Sequence, residues 1–201
     1  MTRSTSFGQN GRVTYVDQIG RWMSTRRARS VFKNQLMTTA ADVGCGYDAA
    51  LGRLLFRDVV SVHLFDVSVT RNPNANNEFI HEGLLPFALN QIGDSICDAM
   101  LMNNVLEHLR DPDETLALLF LKLAPNGMLF LNVPTWRGKK LLEFLAFKLK
   151  IAPAEEMNDH KTYYDMRSMW PMLVKAGFRP ENIKIRTHKF GTNLYAICSK
   201  N

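Results

Sequence analysis

The run Thr39-Ala40-Ala41-Asp42-Val43-Gly44-Cys45-Gly46-Tyr47-Asp48-Ala49 joins an acid at the end of an apolar stretch to glycines at alternate positions. A carboxylate at a strand's end can hold ribose hydroxyls. Glycines there let the backbone approach a ligand closely, because no Cβ intervenes and positive φ is allowed. Asp66 follows Gly46 by 20 residues and closes a second apolar run, Val59 to Phe65. That spacing brings a carboxylate to the two ribose hydroxyls of a bound nucleoside. Two later apolar runs end in Glu82-Gly83-Leu84 and Asn103-Asn104. Backbone at the first can face a base, and backbone at the second can line the other half of a crevice.

The elements that must position these residues alternate between strand and helix. Predicted strands cover the residues before Asp42, Val59 to Asp66, Glu78 to His81, Ile96 to Met102 and Met128 to Val133. A hairpin of Ile183 to Thr187 and Asn193 to Cys198 follows. Val13 to Met37 carries Val16, Ile19, Trp22 and Met23 at helical spacing. Asp111-Pro112-Asp113-Glu114 reads as an N-cap with proline at the first helical position and acids in the first turn. Its helix runs through Leu116 and Leu119 to the Pro125-Asn126-Gly127 turn, and a further helix spans Met166 to Ala176. Repeated strand–helix units predict an α/β, Rossmann-like, doubly wound sheet. It is seven-stranded and mostly parallel, with an antiparallel C-terminal strand and helices on both faces. Ligands of such sheets bind at the carboxyl ends of the strands, where strand order reverses.

These motifs, in this order, resemble the class I S-adenosylmethionine-dependent methyltransferases over roughly residues 38 to 199. Asp42-x-Gly44-x-Gly46 is similar to that family's first motif, and Asp66 to its ribose-binding acid. Asp98 to Met102 with Val105-Leu106-Glu107-His108 resembles its fourth-strand segment. Pro125-Asn126-Gly127 and Ala176-Gly177-Phe178 resemble its turns into the last strands. Tyr47-Asp48-Ala49 stands where a third glycine is common, and Leu84 follows Gly83 where an acid for the adenine amine is usual. The resemblance implies S-adenosyl-L-methionine as cofactor, held by Asp42, Gly44, Cys45, Gly46, Tyr47, Asp66, Val67, Gly83, Leu84, Asn103 and Asn104.

Methyl transfer needs in-line alignment, and a hydroxyl acceptor gains from a general base. His108 and His160 are the candidates for that base. Trp136, Phe144, Tyr163 and Tyr164 are the candidates for the acceptor pocket. Asn104, Glu107 and His108 share one face of a helical turn, but Asn104 replaces the first carboxylate of the Glu-x-x-Glu-His pattern that binds metal in some relatives. No metal is therefore expected. Asn103-Asn104-Val105-Leu106 does not match the motif of enzymes that methylate exocyclic amines of nucleic acid bases, which argues against a DNA adenine or cytosine-N4 acceptor though not against RNA in general. No DNA partner is expected, and RNA is disfavoured.

The reading is a methyltransferase of a small-molecule acceptor, anionic or lipophilic, directed to oxygen. One alternative is a methyltransferase-like protein that binds a nucleoside or RNA without catalysis. A nicotinamide-dependent oxidoreductase is another, since Gly44-x-Gly46-x-x-Ala49 also fits a dinucleotide fingerprint. It lacks the Tyr-x-x-x-Lys pair of short-chain dehydrogenases.

The chain has 201 residues, 46% hydrophobic and 22% charged, which suits one domain with a real core. Residues 1–12 read as a flexible tail and 13–201 as one domain, within which 13–37 is a helical segment and 134–160 an insertion or lid over the site. A formal charge of +6 favours anionic partners. No apolar run is long enough to span a bilayer, though lysines flanking the 134–160 stretch allow peripheral membrane contact. Three scattered cysteines and no secretory leader predict a cytoplasmic protein.

Overall fold

Strand β1 (Thr39–Val43) is buried from Ala40 to Val43. It pairs in parallel with β2 (Ser61–Asp66) on one side and β4 (Cys97–Asn103) on the other. A strand enclosed on both edges and both faces accepts only small or apolar side chains, which its sequence supplies until Asp42. Beyond β2 lies β3 (Glu78–Glu82), also parallel. Beyond β4 come β5 (Leu123–Pro134), β7 (Asn193–Ser199) and, at the edge, β6 (Ile183–His188), with β7 antiparallel to both neighbours. The seven strands follow the order β3-β2-β1-β4-β5-β7-β6. This computed structural model describes residues 5–9, 15–143 and 161–201.

Alternate side chains of the strands feed two cores. Ala40, Ala99, Leu101 and Phe130 meet Phe32 of α1 (Tyr15–Phe32) and Leu51 of α2 (Ala50–Leu55). Ala41, Met100, Leu129 and Leu131 meet Leu116 and Leu119 of α3 (Pro112–Lys122) and Leu173 of α5 (Met166–Lys175). The period of two along each strand thus becomes helices on both faces. A shorter helix, α4 (Trp136–Glu143), follows β5. Asp111 caps α3 by accepting the Glu114 N–H (3.1 Å), with Pro112 as its first residue.

Several boundaries differ from those read in the sequence, among them the end of α1 at Phe32 rather than Met37 and the starts of two strands. Strand β2 begins at Ser61 rather than Val59, because the Val59 N–H closes a turn on the Phe56 carbonyl (3.1 Å). Strand β5 reaches back to Leu123, which pairs with Cys97 across a shift in register. Gly127 makes that stretch possible, since a Cβ there would stand 2.7 Å from the Cys97 carbonyl oxygen. Strand order reverses between β1 and β4, so a crevice opens at their carboxyl ends.

Candidate active site

The chain leaves β1 through two left-handed glycines, Gly44 and Gly46, each at φ 75°. Gly44 is forced by space as well: a Cβ there would lie 2.3 Å from Val105 Cγ2 in the segment after β4. The Gly44 and Cys45 N–H groups both donate to the Phe65 carbonyl (2.8 and 3.0 Å), which folds the bend onto the end of β2. Burial holds the Cys45 thiol well above the usual range, so it stays protonated.

Asp66 closes β2 and is bound to that bend. The Gly46 N–H donates to Oδ2 and the Val67 N–H to Oδ1, both at 2.8 Å. Two backbone amides therefore fix the orientation of the carboxylate in the crevice. Asp42 is different. It is 2% exposed and its Oδ2 accepts the Gly52 N–H (2.9 Å) in the first turn of α2. Burial pushes its carboxyl up to about 7, against the Gly52 hydrogen bond, which pulls the other way; the charge of Asp66 adds to the rise. Asp42 thus pins the helix that follows the glycine bend.

At the end of β3 the Glu82 carboxylate accepts the Val69 N–H (3.0 Å), and Gly83, at φ 150°, donates its N–H to the Asp66 carbonyl (3.0 Å). Leu84 follows, half-exposed. On the other side of the crevice, fully buried Asn132 of β5 donates through Nδ2 to Asn103 Oδ1 (2.9 Å) and Asn104 Oδ1 (3.0 Å). Asn193 of β7 reaches the same Asn104 oxygen (3.1 Å). Three strands are tied at their ends by amide side chains.

Past this cluster, Leu106–His108 forms a single 3₁₀ turn. Asn104 stands at φ 56°, so Asn104, Glu107 and His108 do not form one α-helical face. Among the described residues, no group of three or more His, Cys, Asp or Glu could hold a metal ion. The Glu107 carbonyl accepts the N–H groups of Lys161 (2.9 Å) and Thr162 (3.3 Å), and the His108 carbonyl accepts Lys161 Nζ. Nearby, burial pulls Lys189 in the β6–β7 turn down to about 8, against the opposing charge of buried Glu107.

Trp136 and Tyr163 stand with ring centroids 5.3 Å apart, and Lys139 Nζ lies 5.5 Å from both. Tyr164 is turned away from them: it is 2% exposed, and its hydroxyl donates to the Leu106 carbonyl (3.3 Å) beneath the 3₁₀ turn. Phe144 and His160 lie outside the described residues.

A family model described as a methyltransferase domain matches residues 20–183. The chain belongs to that family. No curated protein matches this methyltransferase in sequence. Its fold is similar to a SAM-dependent methyltransferase from Archaeoglobus fulgidus, at a TM-score of 0.63 and 12% identity, covering 92% of this chain and 100% of that one. It is also similar to magnesium protoporphyrin IX methyltransferase from Synechocystis, solved with bound SAH (0.65, 15%, 96% and 90%). A third similar structure is a methyltransferase from Haloferax volcanii, described as putative and solved in complex with an activator (0.66, 12%, 90% and 91%). No helix among the described residues of the methyltransferase is long and apolar enough to cross a membrane.

Four residues of this site were not singled out from the sequence. Gly52 carries a signal, since a glycine ten residues after a strand-end acid can present its amide without a Cβ in the way. Here that Cβ would stand 2.6 Å from Asp42 Oδ2. Asn132 carries another, as an amide inside an apolar strand. Ser6, whose hydroxyl sits on the Asp66 carboxylate, and Lys189 carry none, because only tertiary packing brings them here.

Proposed function

We propose that this methyltransferase uses S-adenosyl-L-methionine to methylate a small-molecule acceptor at oxygen. The observation that carries the reading is the Asp66 carboxylate at the end of β2, oriented by the Gly46 and Val67 amides on the side of the sheet where strand order reverses. A vicinal diol fits such a carboxylate, each hydroxyl donating to one oxygen. The Gly44–Gly46 bend, which carries a Cβ only at Cys45, suits the donor's amino-acid tail. Cys45 and Tyr47 would line the donor's tail, Val67 and Leu84 would flank the ribose and base, and Gly83, Asn103 and Asn104 would line the remaining walls. The donor supplies a methyl group already activated on a sulfonium.

The chain's own task is to seat the acceptor and move one proton. Trp136 and Tyr163 would form the acceptor wall, with Lys139 favouring an anionic group on the acceptor. The assignment of the 134–160 stretch, including Phe144, as a lid belongs to the same reading. So does Tyr164, as the floor that holds the 3₁₀ turn in place. His108, His160 or Lys189 would accept the hydroxyl proton. The Synechocystis relative with bound SAH supports the donor, and an O-methyltransferase family protein from Burkholderia thailandensis of similar fold (TM-score 0.63, 15% identity) supports an oxygen acceptor. That match covers 89% of this chain and 56% of the other. Small soluble substrates and reduced cysteines suit work in the cytoplasm.

Calorimetry with S-adenosylhomocysteine tests the donor. Asp66→Asn keeps the side chain's shape and one acceptor oxygen but loses the charge that strengthens both ribose hydrogen bonds. The expected loss in affinity is about 100-fold. Unchanged affinity would refute the assignment.

A further inference from the structure

Asp66 already carries a hydroxyl. Ser6 Oγ lies 2.5 Å from Asp66 Oδ1 and 2.6 Å from the Ser68 carbonyl oxygen, and it accepts the Ser68 N–H at 2.8 Å. Ser6 is 4% exposed, so its side of the contact is shielded from water. The next residue covers the glycine bend: the Phe7 carbonyl accepts the Tyr47 N–H (2.9 Å), and a Cβ at Gly46 would meet that oxygen at 3.2 Å. The segment closes on itself, since the Gln9 N–H donates to the Ser6 carbonyl (3.2 Å) and the Ser6 N–H to Gln9 Oε1 (3.1 Å).

A carboxylate offers about four acceptor positions. The Val67 and Gly46 amides take one on each oxygen of Asp66. Two positions remain for the two hydroxyls of a ribose, and Ser6 holds one of them. A diol and this serine therefore cannot be seated together.

We propose that residues 5–9 form an internal strap that competes with the methyl donor, the Ser6 hydroxyl standing in for a ribose hydroxyl on Asp66. This rests on the donor reading given above. Donor binding must lift the strap, so the free-energy difference between strapped and open forms sets the apparent donor affinity. With a strapped population in the majority, affinity is reduced by the open fraction.

The test pairs calorimetry with hydrogen exchange on the full chain, using S-adenosylhomocysteine as the probe. Ser6→Ala removes the anchor and Ser6→Asp sets a like charge against Asp66. Both should tighten binding by about 5- to 10-fold. In the wild type, the probe should raise deuterium uptake across residues 5–9. Unchanged or weaker binding by both variants, or protection of residues 5–9 by the probe, would overturn the strap. Failure of the donor reading looks different: the probe then binds neither wild type nor variants, or binds Asp66→Asn as well as wild type.

Discussion

Replacing Asp42 with asparagine separates the buried acid's charge from its shape. In the unfolded chain this carboxyl titrates near 3.8, and in the fold near 7. Between those values the native protein keeps a proton that the unfolded chain has released. The carboxyl's contribution to stability is therefore fully present below about pH 3.8 and is lost as pH rises through 7. At 1.36 kcal/mol per pKa unit, the loss amounts to about 4 kcal/mol. The amide introduced by Asp42→Asn would keep an acceptor oxygen for the Gly52 N–H but cannot ionise. The stability of this variant relative to wild type should therefore rise by about 4 kcal/mol between pH 4 and pH 8. At about 2–4 °C per kcal/mol for a chain of this size, that is about 8–16 °C in relative Tm. Groups not coupled to Asp42 cancel in this difference, including His63, which burial and His81 pull down to about 4 and which acts with the opposite slope. Urea denaturation followed by circular dichroism at several pH values measures it. Parallel curves for the two proteins from pH 4 to 8 would refute the buried, proton-holding acid.

Two further outcomes follow from the site's geometry. Gly44→Ala should lose about 2–5 kcal/mol of stability, from a left-handed φ and from overlap with Val105. In a Val105→Ala background the same change should lose only about 1–2 kcal/mol, and equal losses in both backgrounds would reject the contact. At pH 8, trace acylation read by mass spectrometry should modify Lys189 ahead of exposed Lys33, because about half of a lysine titrating near 8 is then neutral. Labelling no faster than Lys33 would remove Lys189 from the candidate bases.

The order of strands and helices was legible because its signals are local. Alternating apolar residues, the Asp111-Pro112 cap and the left-handed turns at Gly44 and Gly46 each depend on a few neighbours in sequence. Asp66 was legible for the same reason: an acid that ends an apolar run lies at a strand's carboxyl end, whatever the rest of the chain does. Asp42 shows the limit. Its place at the end of β1 could be read, but its burial against Gly52 could not, because that needs α2 folded back over the strand. Tyr164 stood beside Tyr163 as a second acceptor-pocket candidate, yet the two rings face different surroundings once Pro134 and Leu106 supply backbone partners.

Local chain signals were enough to set the kind of sheet, the glycine bend and the acid that faces it. Tertiary structure alone decided who else shares that acid. Ser6 lies 60 positions from Asp66, and Lys189 and Glu107 belong to separate strand ends. Such pairs follow from strand order and burial, which bring distant residues into one dry volume where a hydroxyl or an ammonium gains its meaning from its neighbours.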